Sequence, residues 1–463
     1  MASLLTDGWF WLGILAITAG LIAMRRRETT SGEAAAPPPA AAAAASALVP
    51  GLGQVWLGLK RGWWMLAAVA ALIAVVLLLE PSAPLALSLL TSIPALAALG
   101  VLNLCVLLVR AAASLDAWKA ARRSHPSERL VFAGPLLVAT IGVIVLPHVL
   151  ATAYGILYVD LVTNVFDTTN APIVDEERLN VLLIGIDEGP GRSGARADSI
   201  VLASVNRDDG SAVLFSVSRN LACVPAPQEL QDGDGCYTGK INSLWEAAER
   251  QSLMAPGEAG LEATGYAVER LLDIEIHHLA AVNLRGVVEL VDALGGLTVN
   301  VPERIFDATY PHEDGTVEVI DIPAGPAHLD GHSTLAFMRS RRLTDDYDRI
   351  ARQQLVLEAV ASQVEAWPLV IRFPDITRAL DEHLQTDIPL GEVPRLVELF
   401  ANANTENTIS ICLGPPQWAD PMGDRVVPRV DAIRHAVQTA ISKPPAVAVE
   451  LLDLKGDRSP CSV

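Results

Sequence analysis

The chain has 463 residues, 51% of them hydrophobic, and a formal net charge of −19. Its mean hydropathy of +0.35 is too high for an ordinary soluble protein. Its acidity argues against nucleic acid as a partner, because that needs a basic footprint.

The apolar excess sits early. Leu12–Met24 follows Trp9-Phe10-Trp11 and ends at Arg25-Arg26-Arg27. Trp63–Leu79 and Leu85–Val109 are apolar runs parted by Glu80-Pro81, and Leu130–Tyr158 is nearly free of charge. The last three reach the length of about 20 residues that a bilayer span requires. A signal peptide is the rival reading of the first run, but no Lys or Arg precedes it and three Arg follow. Read as spans, all four agree with an excess of positive charge on the cytoplasmic side. Loop 25–61 carries Arg25, Arg26, Arg27, Lys60 and Arg61, and loop 110–129 carries Arg110, Lys119, Arg122, Arg123 and Arg129. Residues 1–8 and 80–84 carry none.

The expected organisation follows. Span 1 occupies 1–24, and 25–61 is a cytoplasmic Ala/Pro-rich linker with a glycine-rich segment. Spans 2 and 3 occupy 62–109, 110–129 is a basic cytoplasmic loop, and span 4 occupies 130–158. An extracytoplasmic linker (159–178), a folded domain (179–445) and a C-terminal tail (446–463) complete the chain. The glycine spacing at Gly51, Gly53, Gly58 and Gly62 allows close helix packing or a short hairpin. This predicts a multi-pass cell-membrane protein with its C-terminal domain outside. The first 158 residues hold ten Lys/Arg and six Asp/Glu, which leaves 24 and 47 for the remainder, a formal charge of −23. Any phosphate site there must be local and built from clustered Arg.

Four cysteines lie in that outer part, an even number that suits an exported domain. Cys223 and Cys236 flank a Gly/Asp-rich loop and are expected to pair, leaving Cys412 and Cys461 to tie down the tail. No metal-thiolate spacing is present.

Along the outer part, Val181–Ile186 reads as a buried strand, followed by strands Ser199–Val205 and Ala212–Val217. Helices are expected over Glu258–Leu272, Leu284–Leu294, Asp348–Ala366 and Val427–Ile441. Further strands are expected over Leu279–Asn283, Leu297–Val301 and Thr408–Cys412. Such alternation predicts an α/β fold with helices on both faces of a sheet.

Residues 337–354, FMRSRRLTDDYDRIARQQ, gather five arginines in this acidic chain. Arg349, Arg352 and Gln353 stand at i, i+3 and i+4 and share a helix face. Arg339 and Arg341, two apart, point the same way if that segment is extended. Guanidinium forks match phosphate oxygens two at a time, so several together would hold a pyrophosphate. The bland reading is a solvated face in which the aspartates neutralise the arginines. Asp187 follows a buried strand, where open α/β sheets place ligands. Arg196-Ala-Asp198 opens the next strand, and Ser218-Arg219-Asn220 follows another. Asp187 and Asp198 could share one Mg²⁺, which needs few protein ligands. Either is alternatively a turn or capping residue.

The ordered set of GxD, RxD, SRN, KIN (Lys240-Ile241-Asn242), VDALGG, R-x-R and D-R-x-x-R-Q-Q spans roughly 178–356. It resembles the LytR-CpsA-Psr family. The resemblance implies an extracytoplasmic α-β-α sandwich with a central mixed sheet, preceded by about four transmembrane helices. It implies a Mg²⁺-dependent transferase, with Mn²⁺ as the alternative ion. Such an enzyme moves a glycan phosphate from a polyprenyl-pyrophosphate carrier to peptidoglycan or another wall acceptor. Residue by residue, Asp187 and Asp198 match the metal-binding carboxylates. Arg196, Arg219, Arg339, Arg341, Arg349, Arg352 and Gln353 match the pyrophosphate-binding set. Asp198, Arg219 and Arg349 are the expected catalytic residues, with Asp198 as the candidate base. The family usually has Pro-Arg-Asp where this chain has Ser218-Arg219-Asn220. That departure supports a rival reading, a non-catalytic binder of polyprenyl lipid or wall glycan. A polyprenyl-pyrophosphate hydrolase is the third reading.

Overall fold

The computed structural model describes residues 37–79, 89, 92–124, 133–166, 176–188, 194–233, 235–252, 257–311, 317–340, 346–363, 375, 378–393, 395–396, 399 and 408–454. The chain divides into two compact units, Met1–Val159 and Asp160–Val463.

In the first unit, the Ala/Pro tract expected as a linker is an α-helix over Pro39–Leu48. Alanine lets this helix lie close against helix Ile93–Ser124, and Ala42, Ala117 and Ala121 are fully enclosed. Polar groups stitch the contact. Gln54 accepts from Ser46 Oγ (2.6 Å) and donates to the Ala113 carbonyl (2.8 Å). The glycine-rich segment serves the same purpose, since a Cβ on Gly53 would fall 2.0 Å from the Ala42 carbonyl oxygen. The basic loop expected over 110–129 is helical as far as Ser124. Arg110 on that helix donates to the Ala47 carbonyl (2.7 Å), at the end of the alanine helix. The last helix of the unit runs over Ala133–Val165 and so enters the expected linker. Among the described residues, Ile93–Arg123 and Thr140–Val165 are long and apolar enough to cross a membrane. The expected first span, Leu12–Met24, lies outside the described residues.

The second unit is built on a six-stranded mixed sheet. Its strands are β1 (Arg178–Asp187), β2 (Arg196–Asn206), β3 (Ala212–Val217), β6 (His278–Asn283), β11 (Leu384–Thr386) and β12 (Thr408–Leu413), in the order β11-β6-β1-β2-β3-β12. β1 runs parallel to β6 and antiparallel to β2, and β3 runs parallel to β12. Side-chain alternation divides β1 cleanly. Leu182, Ile184 and Ile186 face a core shared with Trp245 and helices Glu258–Leu272 and Val430–Ser442. Leu179 and Val181 face the opposite layer with Leu396 and Leu399. Both faces are covered, which is why the strand reads as continuously apolar.

Smaller elements escaped the sequence reading. They are the hairpin of β4 (Ala222–Val224) and β5 (Tyr237–Lys240), the strand β10 (Gly325–Leu329) that pairs with the expected strand β7 (Leu297–Val301), and the hairpin of β8 (Ile305–Pro311) and β9 (Val317–Ile322). A last hairpin joins β13 (Ala419–Met422) to β14 (Arg425–Pro428). The expected tail begins as a helix, Pro445–Leu451, that buries Ala448 and Leu452 in the main core. Hydrophobic burial makes it part of the domain.

Cys223 and Cys236 form the expected disulfide across the β4–β5 hairpin, 13 residues apart. Cys412 is also disulfide-bonded, and Cys461 lies outside the described residues. Closing a loop of that length restricts the unfolded chain. Serine at both Cys223 and Cys236 is expected to lower unfolding stability by about 3 kcal/mol, read from the shift in denaturant midpoint.

Candidate active site at the ends of two facing strands

The ladder between β1 and β2 slips once. Gly185 pairs with Ser199 and Ile186 with Ala197, so Asp198 is the extra residue of a β-bulge. A bulge re-aims a side chain and leaves its residue out of the ladder. The glycine of the GxD motif allows it, since a Cβ there would meet Ser199 Cβ at 3.0 Å.

The bulged residue is the centre of the site. Arg219 Nη1 donates to Asp198 Oδ2 at 2.6 Å, and Arg349 Nη1 lies 3.6 Å from the same oxygen. Arg349 Nη2 also donates to the Asp198 backbone carbonyl at 3.2 Å, so the bulge is served by a guanidinium. Asn242 Nδ2 donates to the other carboxylate oxygen, Oδ1, at 3.0 Å. These groups are screened from solvent, with side-chain exposures of 16% for Asp198, 13% for Arg219 and 3% for Arg349.

Helix Asp346–Gln363 lies over this end of the sheet. Its shared face is real, but its residues reach different targets. Arg349 serves Asp198, and Gln353 Oε1 accepts from Ser199 Oγ at 2.9 Å. Gln354 donates to Ser216 Oγ at 3.0 Å. Arg352 is buried and donates from Nε to the Phe337 carbonyl (2.7 Å) and from Nη2 to the Ser340 carbonyl. Those carbonyls close helix Gly331–Arg339, which lacks later partners for them.

Arg339 is therefore the last residue of a helix, not part of an extended segment. Arg339 Nη2 meets Asp187 Oδ2 at 3.3 Å. Arg196 stands opposite Asp187 in the ladder and is exposed. Arg341 lies outside the described residues. The structure thus brings Asp198, Arg219 and Arg349 together, pairs Asp187 with Arg339, and turns Arg352 toward backbone. Asn242 is the residue of this cluster that sequence reasoning left without a role. Its only signal was its place in the KIN motif.

Helix Gly331–Arg339 starts at Asp330, whose side chain accepts from Ser333 N at 2.7 Å. The hydrogen bonds to Ser333 hold this carboxyl below its usual range. A depressed value means that the cap contributes fully above an ordinary aspartate pKa of ~3.9 and is lost as pH falls through the lower, folded-state value. Asp330→Ala is expected to cost about 1 kcal/mol at neutral pH. Denaturation at neutral and strongly acid pH checks this, since the difference between variant and parent should close at the acid end.

Asp187 and Asp198 present hard carboxylate oxygens on neighbouring strand ends, and a carboxylate oxygen can accept more than once. Such a donor set fits Mg²⁺, which takes one or two carboxylates and fills its shell with water and phosphate. A different grouping, Glu176, Glu275 and His277, brings three possible ligand atoms within 4.8 Å of one another. There the backbone N–H of Asn180 donates to His277 Nδ1, so the ring proton sits on Nε2, which faces Glu176. That tautomer opposes a metal at Nε2. A cleft of about 340 Å³ opens beside Ile186 and Glu188. Glu246, Glu249 and Glu382 also line it and, with Glu188, outnumber Arg250, which makes it unsuited to a phosphate.

The sequence profile of the LytR_cpsA_psr family matches residues 162–415. The chain belongs to that family. Among curated relatives, it is 26% identical to a polyisoprenyl-teichoic acid–peptidoglycan teichoic acid transferase TagU of Oceanobacillus iheyensis, over 50% of this chain and 66% of that protein. It is 27% identical to the biofilm regulatory protein A of Streptococcus mutans, over 49% of this chain and 54% of that protein. A TagU of Enterococcus faecalis is 30% identical, over 50% of this chain and 68% of that protein. The chain thus spans about half to two thirds of the length of these relatives. The crystal structure of B. subtilis TagV is 20% identical, with a TM-score of 0.44, over 60% of this chain and 99% of that one. In this chain, the bulged Asp198 and its arginines lie in the segments Arg196-Ala-Asp198, Ser218-Arg219-Asn220 and Asp348-Arg349, all inside the matched range.

Proposed function

We propose that this chain is a membrane-anchored phosphotransferase. It moves a glycan phosphate from a polyprenyl-pyrophosphate carrier to peptidoglycan or another wall acceptor. The observation that carries this reading is the convergence of Arg219 and Arg349 on the bulged Asp198 at a sheet end, in a member of this family. The relatives named as teichoic acid transferases support the class of substrate.

Phosphoryl transfer asks a protein mainly for positioning and for cancelling developing negative charge. Arg219, Arg349 and Arg339, with Arg196 and Arg341, supply guanidinium forks for the pyrophosphate. The acceptor hydroxyl oxygen forms the new bond to the glycan-bearing phosphorus. The bond from that phosphorus to the bridging oxygen breaks, and polyprenyl phosphate leaves. The hydroxyl proton passes to Asp198. Mg²⁺ held by Asp187 and Asp198, with Mn²⁺ as the alternative, would supply further charge cancellation at the phosphates.

The apolar belts support the anchoring. Val101, Leu102, Leu104 and Leu108 on one helix and Ile141, Leu146, Val149 and Ile156 on another are exposed. A belt of that extent suits hydrocarbon rather than water. We extend this to four spans, with the second unit outside the cell. The lipid tail of the donor then stays at the bilayer in which the enzyme sits.

The test uses the full chain in detergent with Mg²⁺, a polyprenyl-pyrophosphate-linked glycan and peptidoglycan fragments. Attachment of glycan with release of polyprenyl phosphate, both requiring acceptor, is the expected result. Release without acceptor would make it a hydrolase. Donor binding with neither product would make it a binder, and Asn220 would be the first residue to restore to Asp.

A further inference from the structure

We infer that Asn242 is a positioning residue for Asp198, one that fixes the orientation of its carboxylate. The inference rests on the transferase reading for its kinetic consequence, and on geometry alone for the positioning. Asp198 is held from two sides by donors of different kind. Oδ2 faces two guanidinium groups, Arg219 at 2.6 Å and Arg349 at 3.6 Å. Oδ1 faces the neutral amide of Asn242 at 3.0 Å. The arginines hold one oxygen and the amide of Asn242 holds the other, so the plane of the carboxylate is fixed from both sides.

Asn242 is built to aim. It is 7% exposed and sits in the short 3-10 turn Ile241–Ser243. That turn is laced to the Arg219 segment, because Asn242 N donates to the Arg219 carbonyl (3.3 Å) and Ile241 N to the Leu221 carbonyl (2.7 Å). Ser243 Oγ donates to the Lys240 carbonyl (2.7 Å) and meets the Tyr237 hydroxyl at 2.9 Å. Arg219 lies just before β4 and Asn242 just after β5, so the base of one disulfide-closed hairpin carries both jaws that grip Asp198. A support of this kind fixes a side chain within the tolerance that catalysis needs. It also gives the KIN motif a physical role: Lys240 anchors the hairpin to Asp424 at 2.9 Å, and Asn242 does the aiming.

The test is Asn242→Ala in the full chain, with Asn242→Asp as a partner that keeps the shape but cannot donate. The kinetic expectation is a fall in kcat of about 10- to 100-fold with KM for the donor within about twofold, since a misplacement near 1 Å can cost ~10²-fold. The melting temperature should stay within a few degrees of the parent. Asn242→Asp should be at least as slow. A crystal structure of Asn242→Ala should show the Asp198 carboxylate turned away from its parental rotamer, with Arg219 still bound at Oδ2. An unmoved carboxylate, an unchanged kcat, or a loss seen only in KM would overturn the inference. If the parent protein transfers nothing, the transferase reading fails, and the crystal structure still decides whether Asn242 positions Asp198.

Discussion

Replacing Asp198 by asparagine is expected to lower glycan transfer about 1,000-fold, the scale of a lost electrostatic or proton-transfer group. The side chain keeps its shape and can still accept from Arg219 on one oxygen. It loses its charge and its ability to take a proton. Measured without added Mg²⁺, donor binding should be kept or strengthened, because Arg219 and Arg349 no longer share their charge with a carboxylate. Turnover measured by polyprenyl phosphate release, beside donor affinity measured by calorimetry, separates the two effects. A variant within tenfold of the parent in turnover would remove Asp198 from the chemistry. A variant that loses donor binding in proportion would make it a structural counterion for the arginines.

The second large effect concerns stability. Arg352→Ala is expected to cost about 3 kcal/mol, a large share of the 5–15 kcal/mol that holds a typical domain folded. Arg352 is 5% exposed and donates to the carbonyls of Phe337 and Ser340, both in buried residues. Removing it strands those carbonyls at the end of the helix that delivers Arg339 to Asp187. Each buried unsatisfied acceptor costs about 1–3 kcal/mol. Arg352→Lys should recover only part of this, since an ammonium cannot reproduce the planar fork. Chemical denaturation reads the loss directly. Unchanged stability with lost donor affinity would instead place Arg352 among the pyrophosphate ligands. Arg349 contrasts with it one turn earlier. It is equally buried, yet its guanidinium meets Asp198.

Regular elements were legible because each carries its own period. Glu258–Leu272, Leu284–Leu294 and Leu297–Val301 stand in the structure as the sequence predicts them. Their apolar spacing needs no distant partner to be recognised. The hairpins β4–β5, β8–β9 and β13–β14 were not legible, because short strands with polar faces carry little periodic signal. The alanine tract misled for a related reason. Low complexity reads as a linker, whereas alanine on two helices permits close packing that only the partner reveals.

The sequence by itself determined the family motifs and their order, the apolar segments, the Cys223–Cys236 pairing and the residue types from which a phosphate site can be made. Only the tertiary structure decided what each of those residues does. A one-residue bulge turns Asp198 toward its arginines, and no local pattern encodes a slip in pairing. Arg349 and Arg352 share one helix face and read alike, yet one reaches a carboxylate and the other two carbonyls. Asn242 acquires its role because residues 198, 219 and 242 meet across three separate elements. Contact over such separations is set by how the layers pack, and packing is a property of the folded chain.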